Sequence, residues 1–181
     1  SLLAAYKYND LLRQEIFPSL RADEISLVAK TDPLICAVAH RYLKSHRDKH
    51  FRVVASRKMR QLASLLIELR KKLKLKTLFQ VLCPENVDAI VSCTKIISKY
   101  NPETETYGAP SLAANMGTLL KECIDAAHTI SLKNRATSDK LEQLTVLKNL
   151  FITEWKYEIA TVANSNLQQN KWNKPSLIPL A

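Results

Sequence analysis

Lysine and arginine side chains crowd one stretch of this sequence, and clustered cations are the groups with which proteins bind phosphates. Between Arg41 and Lys76 there are 13 basic residues and two acidic ones, Asp48 and Glu68, a local balance of +11. The whole chain has 27 basic and 17 acidic residues, so the remainder nets −1. A near-neutral chain with one concentrated positive segment is typical of a protein that binds a polyanion.

Residues 53–72 of this segment have the periodicity of an amphipathic helix. At about 100° per residue, apolar side chains from Met59 to Leu69 fall on one arc and polar side chains on the opposite arc. Glu68 is the one acidic residue of the polar arc, so helical spacing offers the cations almost no partners. We therefore predict a basic outer face. The residues predicted to bind nucleic acid are Lys44, Arg47, Lys49, Arg52, Arg57, Lys58, Arg60, Ser64, Lys71, Lys72, Lys74 and Lys76.

The predicted chemistry of these residues is neutralisation of successive phosphates, with little reading of bases. Ser64 lies among the cations, where its hydroxyl can hydrogen-bond a phosphate or a base edge. Two alternatives stay open: an acidic protein partner, and a solvated helix face without a partner. Trp172 is a further contact candidate if it is exposed, whereas Trp155 is assigned to the core.

Catalytic and metal-binding constellations are not recognisable in this sequence. The chain has two glycines, too few for the loops that hold nucleotide phosphates. No serine, cysteine or tyrosine has the sequence spacing to a basic residue and an orienting residue that would mark it as a catalytic nucleophile. Cys36, His40, His46 and His50 are zinc-type ligands, but their spacing matches no zinc motif and the flanking cations oppose a metal ion. We expect no catalysis by this chain, no cofactor and no metal.

Hydropathy and cysteine usage predict a soluble chain in a reducing compartment. The four cysteines are widely spaced, without a C-x-x-C pair, which favours free core thiols over a disulfide framework. The longest apolar runs are far shorter than the roughly 20 residues that cross a bilayer, and the first residues do not form a signal peptide. The expected location is cytosolic or nuclear, without a membrane or a small-molecule substrate as partner.

Apolar periodicity predicts an all-α bundle of about seven or eight helices, with no sheet. Asp32 is predicted to cap a helix that has Pro33 at its first position, and Ser138 to cap the last long helix, whose core stripe contains Trp155. The predicted elements are helices at 2–16, 23–30, 33–45, 53–72, 111–132 and from 138 onward, an apolar turn at 78–82 and a helix that starts at Pro84.

The chain is predicted to form one helical module over residues 1–181. The loop at 101–110, with two prolines and a glycine, is the best position for a sub-domain boundary. Residues 173–181 contain two prolines that forbid helix, so we expect an extended tail that leads to an absent domain. The chain begins without methionine, and we expect it to be a segment of a longer protein.

Three stretches together resemble a known group of proteins: SRKMRQLASLL at 56–66, PSLAANMG at 110–117 and WNKPSLIPL at 172–180. The set is similar to the helical region upstream of the catalytic domain in transposon-related, tyrosine-recombinase-like eukaryotic proteins. The resemblance covers nearly the whole chain. It implies a core-binding-like region, the helical arm that clamps DNA opposite the catalytic domain.

In that family the tyrosine nucleophile and its supporting residues belong to the following domain, and none of them can be placed on this sequence. The resemblance therefore implies a nuclear DNA-binding module that serves DNA recombination without catalysing it. The alternative is a protein-interaction or oligomerisation scaffold of a transposon-derived nuclear protein, with the last helix or the tail as its docking element.

Overall fold

The computed structural model describes residues 10–173, and these form an essentially all-α fold, as predicted. The predicted tail from residue 174 and the first part of the helix at 2–16 lie outside the described residues. No helix within the described part is both long and apolar enough to cross a membrane. The helices are α1 (described over 10–15), α2 (Glu24–Thr31), α3 (Pro33–Ser45), α4 (Phe51–Lys72), α5 (Leu78–Val81), α6 (Val87–Ile97), α7 (Pro110–Lys133), α8 (Ser138–Trp155) and α9 (Thr161–Asn173).

Asp32 caps α3, as predicted, and also joins α3 to α5. Its Oδ1 accepts hydrogen bonds from the backbone N–H groups of Leu34 and Ile35, at 3.1 and 3.0 Å, and Pro33 takes the first helical position. Its Oδ2 accepts from the N–H of Leu78, the first residue of α5, at 3.0 Å. Burial raises the pKa of the Asp32 carboxyl group, and the three N–H donors oppose that rise. The Asp32 side chain thus accepts hydrogen bonds from backbone N–H groups at the starts of two helices, where these groups have no partner within their own helix.

Helix α4 is the centre of the fold, because α2, α3, α6 and α7 all pack against it. Its apolar face is buried, as predicted. Its polar face is largely covered too: Arg60, Gln61, Ser64 and Glu68 are half-buried. The predicted basic outer face is therefore wrong for the middle of the helix. Its exposed residues are Val53 and Arg57 near the start and Arg70, Lys71 and Lys72 at the end.

The predicted loop at 101–110 contains a β-hairpin. Strand β1 (Tyr100–Asn101) pairs antiparallel with β2 (Thr106–Tyr107), and within residues 10–173 this is the one sheet, where the sequence predicts none. Two-residue strands give no detectable alternation of apolar and polar side chains. The buried Tyr107 donates its backbone N–H to Oδ1 of Asn166 in α9 at 2.9 Å, so the hairpin is attached to the helical core.

The last predicted helix is divided by a π-helical turn, Lys156–Ala160, which joins α8 to α9. Phe151, Trp155, Ile159 and Ala163 follow at intervals of four and are buried. The predicted core stripe is therefore confirmed through Trp155 and Ile159, whereas its last predicted member, Val162, is half-buried and the neighbouring Ala163 is buried instead. Four residues rotate an α-helix by about 400°, so this spacing drifts by about 40° at each step. The wider π turn absorbs the drift and keeps the later members of the stripe inside.

The predicted N-cap of α8 is wrong by one residue. Thr137 is the cap: its hydroxyl oxygen accepts a hydrogen bond from the N–H of Lys140 at 3.4 Å, and Ser138 is the first helical residue. Adjacent threonine and serine have the same capping chemistry, so residue type alone cannot decide between the two positions.

Candidate nucleic-acid interface

Several predicted contact residues form ion pairs with other helices. Glu15 of α1 lies 3.2 Å from Nη2 of Arg47 and 3.7 Å from Nη2 of Arg52. Nζ of Lys58 donates to both carboxylate oxygens of Glu122 in α7, at 3.1 and 3.0 Å. The carboxylates come from residues 32 and 64 positions away along the chain for Arg47 and Lys58, so the spacing within the basic segment does not reveal them.

Arg60 is held by the start of α2. Its Nη1 and Nη2 donate to the two oxygens of Asp23, both at 2.9 Å, and Nη1 also donates to the hydroxyl of Ser26 at 2.6 Å. The hydrogen bonds from Arg60 keep the pKa of Asp23 well below its usual range, and Asp23 in turn raises the pKa of Arg60. The expectation that these cations stay free is therefore wrong for the set that we call the paired cations: Arg47, Arg52, Lys58 and Arg60.

The basic residues around the end of α4 have different surroundings. We call them the open basic cluster: Arg70, Lys71, Lys72, Lys74 and Lys76, all of them exposed. The ion pair that Lys71 forms is with Glu68, three residues away on the same helix, at 3.0 Å. Nζ of Lys72 donates to the hydroxyl of Ser92 in α6 at 2.8 Å. No carboxylate from another element of residues 10–173 forms an ion pair with this cluster.

Hydrogen bonds fix the backbone of the turn that follows α4. Nε of Arg70 donates to the carbonyl oxygen of Lys76 at 2.8 Å. The side-chain oxygen of Gln80 accepts from the N–H groups of Lys76 and Thr77, at 3.1 and 3.3 Å. The hydroxyl of Thr77 accepts from the N–H of Gln80 at 3.2 Å, which completes a capping box at the start of α5. Arg70 is a member of the cluster that the sequence-based set omits.

The other predicted contact residues lie apart from the open basic cluster. Lys44 at the end of α3 and Lys49 in the connection to α4 are exposed, as is Arg57, and none of the three forms an ion pair within the described part of the chain. The hydroxyl of Ser64 donates to the carbonyl oxygen of Arg60 at 2.9 Å. Since α4 has 22 residues, Lys49 and the cluster are separated by about 33 Å along its axis. The predicted residues therefore do not form one continuous surface.

A groove beside Arg57 brings together basic residues from two parts of the chain. Its volume is about 390 Å³. Arg21, from the segment before α2, lines it together with Arg57 and Arg60 of α4, and no carboxylate of the described residues does. We call it the arginine groove; its serine residues are Ser19, Ser56 and Ser64. Sequence reasoning missed Arg21, because an isolated arginine 36 positions before Arg57 carries no signal of its own.

The zinc-type residues are held by other contacts. Within residues 10–173 no three His, Cys, Asp or Glu side chains are grouped in a way that would hold a metal ion. Cys36 is buried, and burial raises the pKa of its thiol to about 12, which disfavours the thiolate that a metal requires. The ring of His46 stacks on Tyr42 at a centroid distance of 4.1 Å. All four cysteines are free thiols, as predicted.

Comparison with known proteins finds no relative, so the function is argued from the geometry of the chain. No protein-family model matches the sequence, and no curated protein or solved structure matches it. The resemblance to tyrosine-recombinase-like proteins therefore stays a prediction. Its third stretch falls largely outside the described residues, which end within it at Asn173.

Proposed function

We propose that this chain is a DNA-binding helical module that holds the phosphate backbone mainly through the open basic cluster. One observation carries the proposal: five exposed cations lie within seven residues, and among residues 10–173 the one carboxylate that forms an ion pair with them is Glu68 on the same helix. Lysine and arginine side chains of this kind bind DNA by displacing the counterions condensed on its phosphates. Such contacts do not depend on base sequence.

Stabilisation of the helix dipole is the simplest competing role for these cations, since positive charge is favourable at a helix C-terminus. That role suits Arg70, Lys71 and Lys72, which lie in the last turn of α4. The dipole effect is limited to the last turn, whereas Lys74 and Lys76 lie beyond it and are exposed. Helix stabilisation therefore does not involve these two lysines, and they are free to bind phosphates.

The proposal divides the predicted contact residues by role. The open basic cluster, with Lys44, Lys49 and Arg57, supplies charge to the DNA. Arg47, Arg52 and Lys58 join α4 and the segment before it to α1 and α7. Since these cations already face carboxylates, moving them to a phosphate exchanges one ion pair for another and adds little affinity.

Affinity and positioning are the proposed contributions of this chain, which we regard as a non-enzymatic part of a nuclear protein. Any strand cleavage is assigned to another part of the parent protein, as in the tyrosine-recombinase-like proteins that the sequence resembles. This assignment follows the resemblance and is proposed together with the DNA-binding function.

Duplex binding at several salt concentrations tests the proposal. For a random duplex we expect log K to fall with log salt at a slope of about −4, one unit for each of about four phosphates. Replacing Lys71, Lys72, Lys74 and Lys76 by Gln should weaken binding about hundredfold and flatten that slope. The matched control replaces four exposed cations elsewhere by Gln: Lys99, Lys133, Arg135 and Lys171. Equal losses in the two variants, or no binding by the wild type, would contradict the proposal.

A second candidate function is protein interaction through the last helices. Large apolar side chains are exposed there: Val146 and Ile152 on α8, Tyr157 in the π turn and Trp172 on α9, the last with 80% of its surface exposed. Exposed apolar surface of this kind favours association with a protein. Light scattering distinguishes the two candidates, because a concentration-dependent dimer that added DNA does not change would favour the scaffold.

A further inference from the structure

We propose that the arginine groove seats one backbone phosphate of the DNA, with Arg21, Arg57 and Arg60 around it. The inference rests on the proposed function and adds a defined contact point to it. Arg21, from the segment before α2, thereby becomes a residue that binds DNA. It also gives Arg60 a role besides its ion pair with Asp23.

The chemistry of the groove suits an anion rich in hydrogen-bond acceptors. Phosphate oxygens only accept hydrogen bonds, and guanidinium groups donate them. The hydroxyl groups of Ser19 and Ser64 already donate to the carbonyl oxygens of Ile16 and Arg60, so the arginines supply the donors of the groove. A different groove, near Tyr42, has a volume of about 260 Å³ and is lined by Glu122 and Asp125 as well as Arg41. Carboxylates in that position repel an anion. The arginine groove has no such residue in its lining.

Arg60 is oriented so that part of its guanidinium group stays available. Both N–H groups of Nη1 and one of Nη2 are used by Asp23 and Ser26. The remaining two, on Nε and Nη2, have no acceptor within residues 10–173. These two N–H groups lie on the same edge of the planar group, which is the geometry that binds phosphate in a bidentate manner. Asp23 thus fixes the orientation of Arg60 and leaves that edge unoccupied.

Arg21 and Arg57 supply the net positive charge of the groove, since Asp23 offsets Arg60. Both are exposed, and neither forms an ion pair within the described part of the chain. The backbone on both sides of Arg21 is anchored: Leu20 is buried, and Asp23 donates its N–H to the carbonyl oxygen of Arg21 at 3.0 Å. A phosphate between the two arginines would therefore meet side chains on fixed backbone.

The groove and the open basic cluster lie on the same side of α4. Arg57 and Lys71 are 14 residues apart, which is close to four full turns and about 21 Å along the axis. The backbone of a DNA strand advances about 3.4 Å per nucleotide, so this separation corresponds to roughly six nucleotides. A single short duplex can therefore reach both places, and the groove would fix its position along the helix.

Arg21→Ala tests the groove, with Arg13→Ala as the matched control. Arg13 is an exposed arginine of α1 that forms no ion pair within residues 10–173. We expect Arg21→Ala to weaken binding of a random duplex about fivefold and to reduce the salt slope by about one unit. Arg13→Ala should change affinity less than about twofold. Arg21→Lys keeps the charge and should recover the slope but not the full affinity.

Equal affinity of the two alanine variants, with a wild type that binds, would overturn the groove and leave the proposed function intact. If the wild type does not bind duplex, the proposed function fails, and inorganic phosphate becomes the probe. A melting temperature that phosphate raises at constant ionic strength in the wild type, but not in Arg21→Ala, would assign the groove to free phosphate instead of DNA. If phosphate does not change the melting temperature of the wild type, the groove proposal is overturned as well.

Discussion

The two ends of the basic segment both carry several cations, but these cations have different neighbours. Around the first half of α4, carboxylates from α1, α2 and α7 reach Arg47, Arg52, Lys58 and Arg60. Past the end of α4, the chain carries Lys74 and Lys76 on a turn that no distant carboxylate pairs with, among the described residues. The number of basic residues in a stretch therefore does not measure the charge that it offers to a partner.

The cations with carboxylate partners contribute mainly to the stability of the fold, whereas the open basic cluster is available for binding. Partly exposed ion pairs such as those of Arg47, Arg52 and Lys58 each contribute little to stability, and a phosphate must compete with the carboxylate already present. In the open basic cluster, by contrast, the one ion pair among residues 10–173 is that of Lys71 with Glu68 on the same helix, and no carboxylate of another element competes with a phosphate.

The largest expected change in DNA affinity comes from reversing charge in the open basic cluster. Lys72→Glu with Lys74→Glu should weaken duplex binding about hundredfold, because two attractive contacts become repulsive ones. Arg47→Gln with Arg52→Gln should change affinity less than about threefold but lower the melting temperature, since Glu15 then lacks both partners. Fluorescence anisotropy and thermal melting of both double variants give the comparison. Similar losses of affinity would remove the distinction between the two ends.

A smaller effect in the opposite direction is expected from Glu15→Gln. Neutralising this carboxylate frees Arg47 and Arg52 to act as open cations, so duplex affinity should rise about two- to threefold and the salt slope should become steeper. Glu103→Gln, in the exposed turn of the hairpin, makes the same change of net charge far along the chain and serves as control. A gain no larger than that of the control would show that the pairing does not limit binding.

The smallest effect concerns the pH dependence of the Asp23–Arg60 pair. Arg60 keeps the pKa of Asp23 well below its unfolded value near 3.8. A carboxyl group with a lowered pKa stabilises the fold above the unfolded value and loses that contribution as the pH falls below it. Asp23→Asn should therefore melt below the wild type by a constant amount from pH 7 to about pH 5, and approach it below about pH 3. A difference that disappears by pH 5 would contradict the ion pair.

Local signals in the sequence predict most of the helices. Asp32 followed by Pro33 marks the start of α3 because capping and the fixed φ of proline act within three residues. The core stripe of α8 and the π turn is likewise visible in the local spacing of apolar residues. The hairpin was not predicted because its two-residue strands show no alternation of apolar and polar residues. The hydrogen bond that attaches it to the core, from the N–H of Tyr107 to Asn166, spans 59 residues and leaves no local pattern either.

The candidate site was harder to predict than the helices. Periodicity shows which side chains share a face of α4, but it does not show that α2 would cover the middle of that face. Asp23 and Arg60 are 37 residues apart. Arg21, two residues before Asp23, lines the groove because the segment that contains both residues packs beside α4. Ion pairs and grooves depend on how helices pack, and packing joins residues whose distance in the sequence carries no pattern.

The hydrogen-bonded turn after α4 bears on what association with DNA would cost. Many basic segments are disordered and acquire their shape only on the nucleic acid, which subtracts the ordering entropy from the affinity. Fixing one residue of backbone costs about 1–2 kcal/mol. For Lys76 that cost is met when the protein folds, because Arg70 donates to its carbonyl oxygen and Gln80 accepts from its N–H. What remains to be lost at this position on binding is the freedom of the lysine side chain.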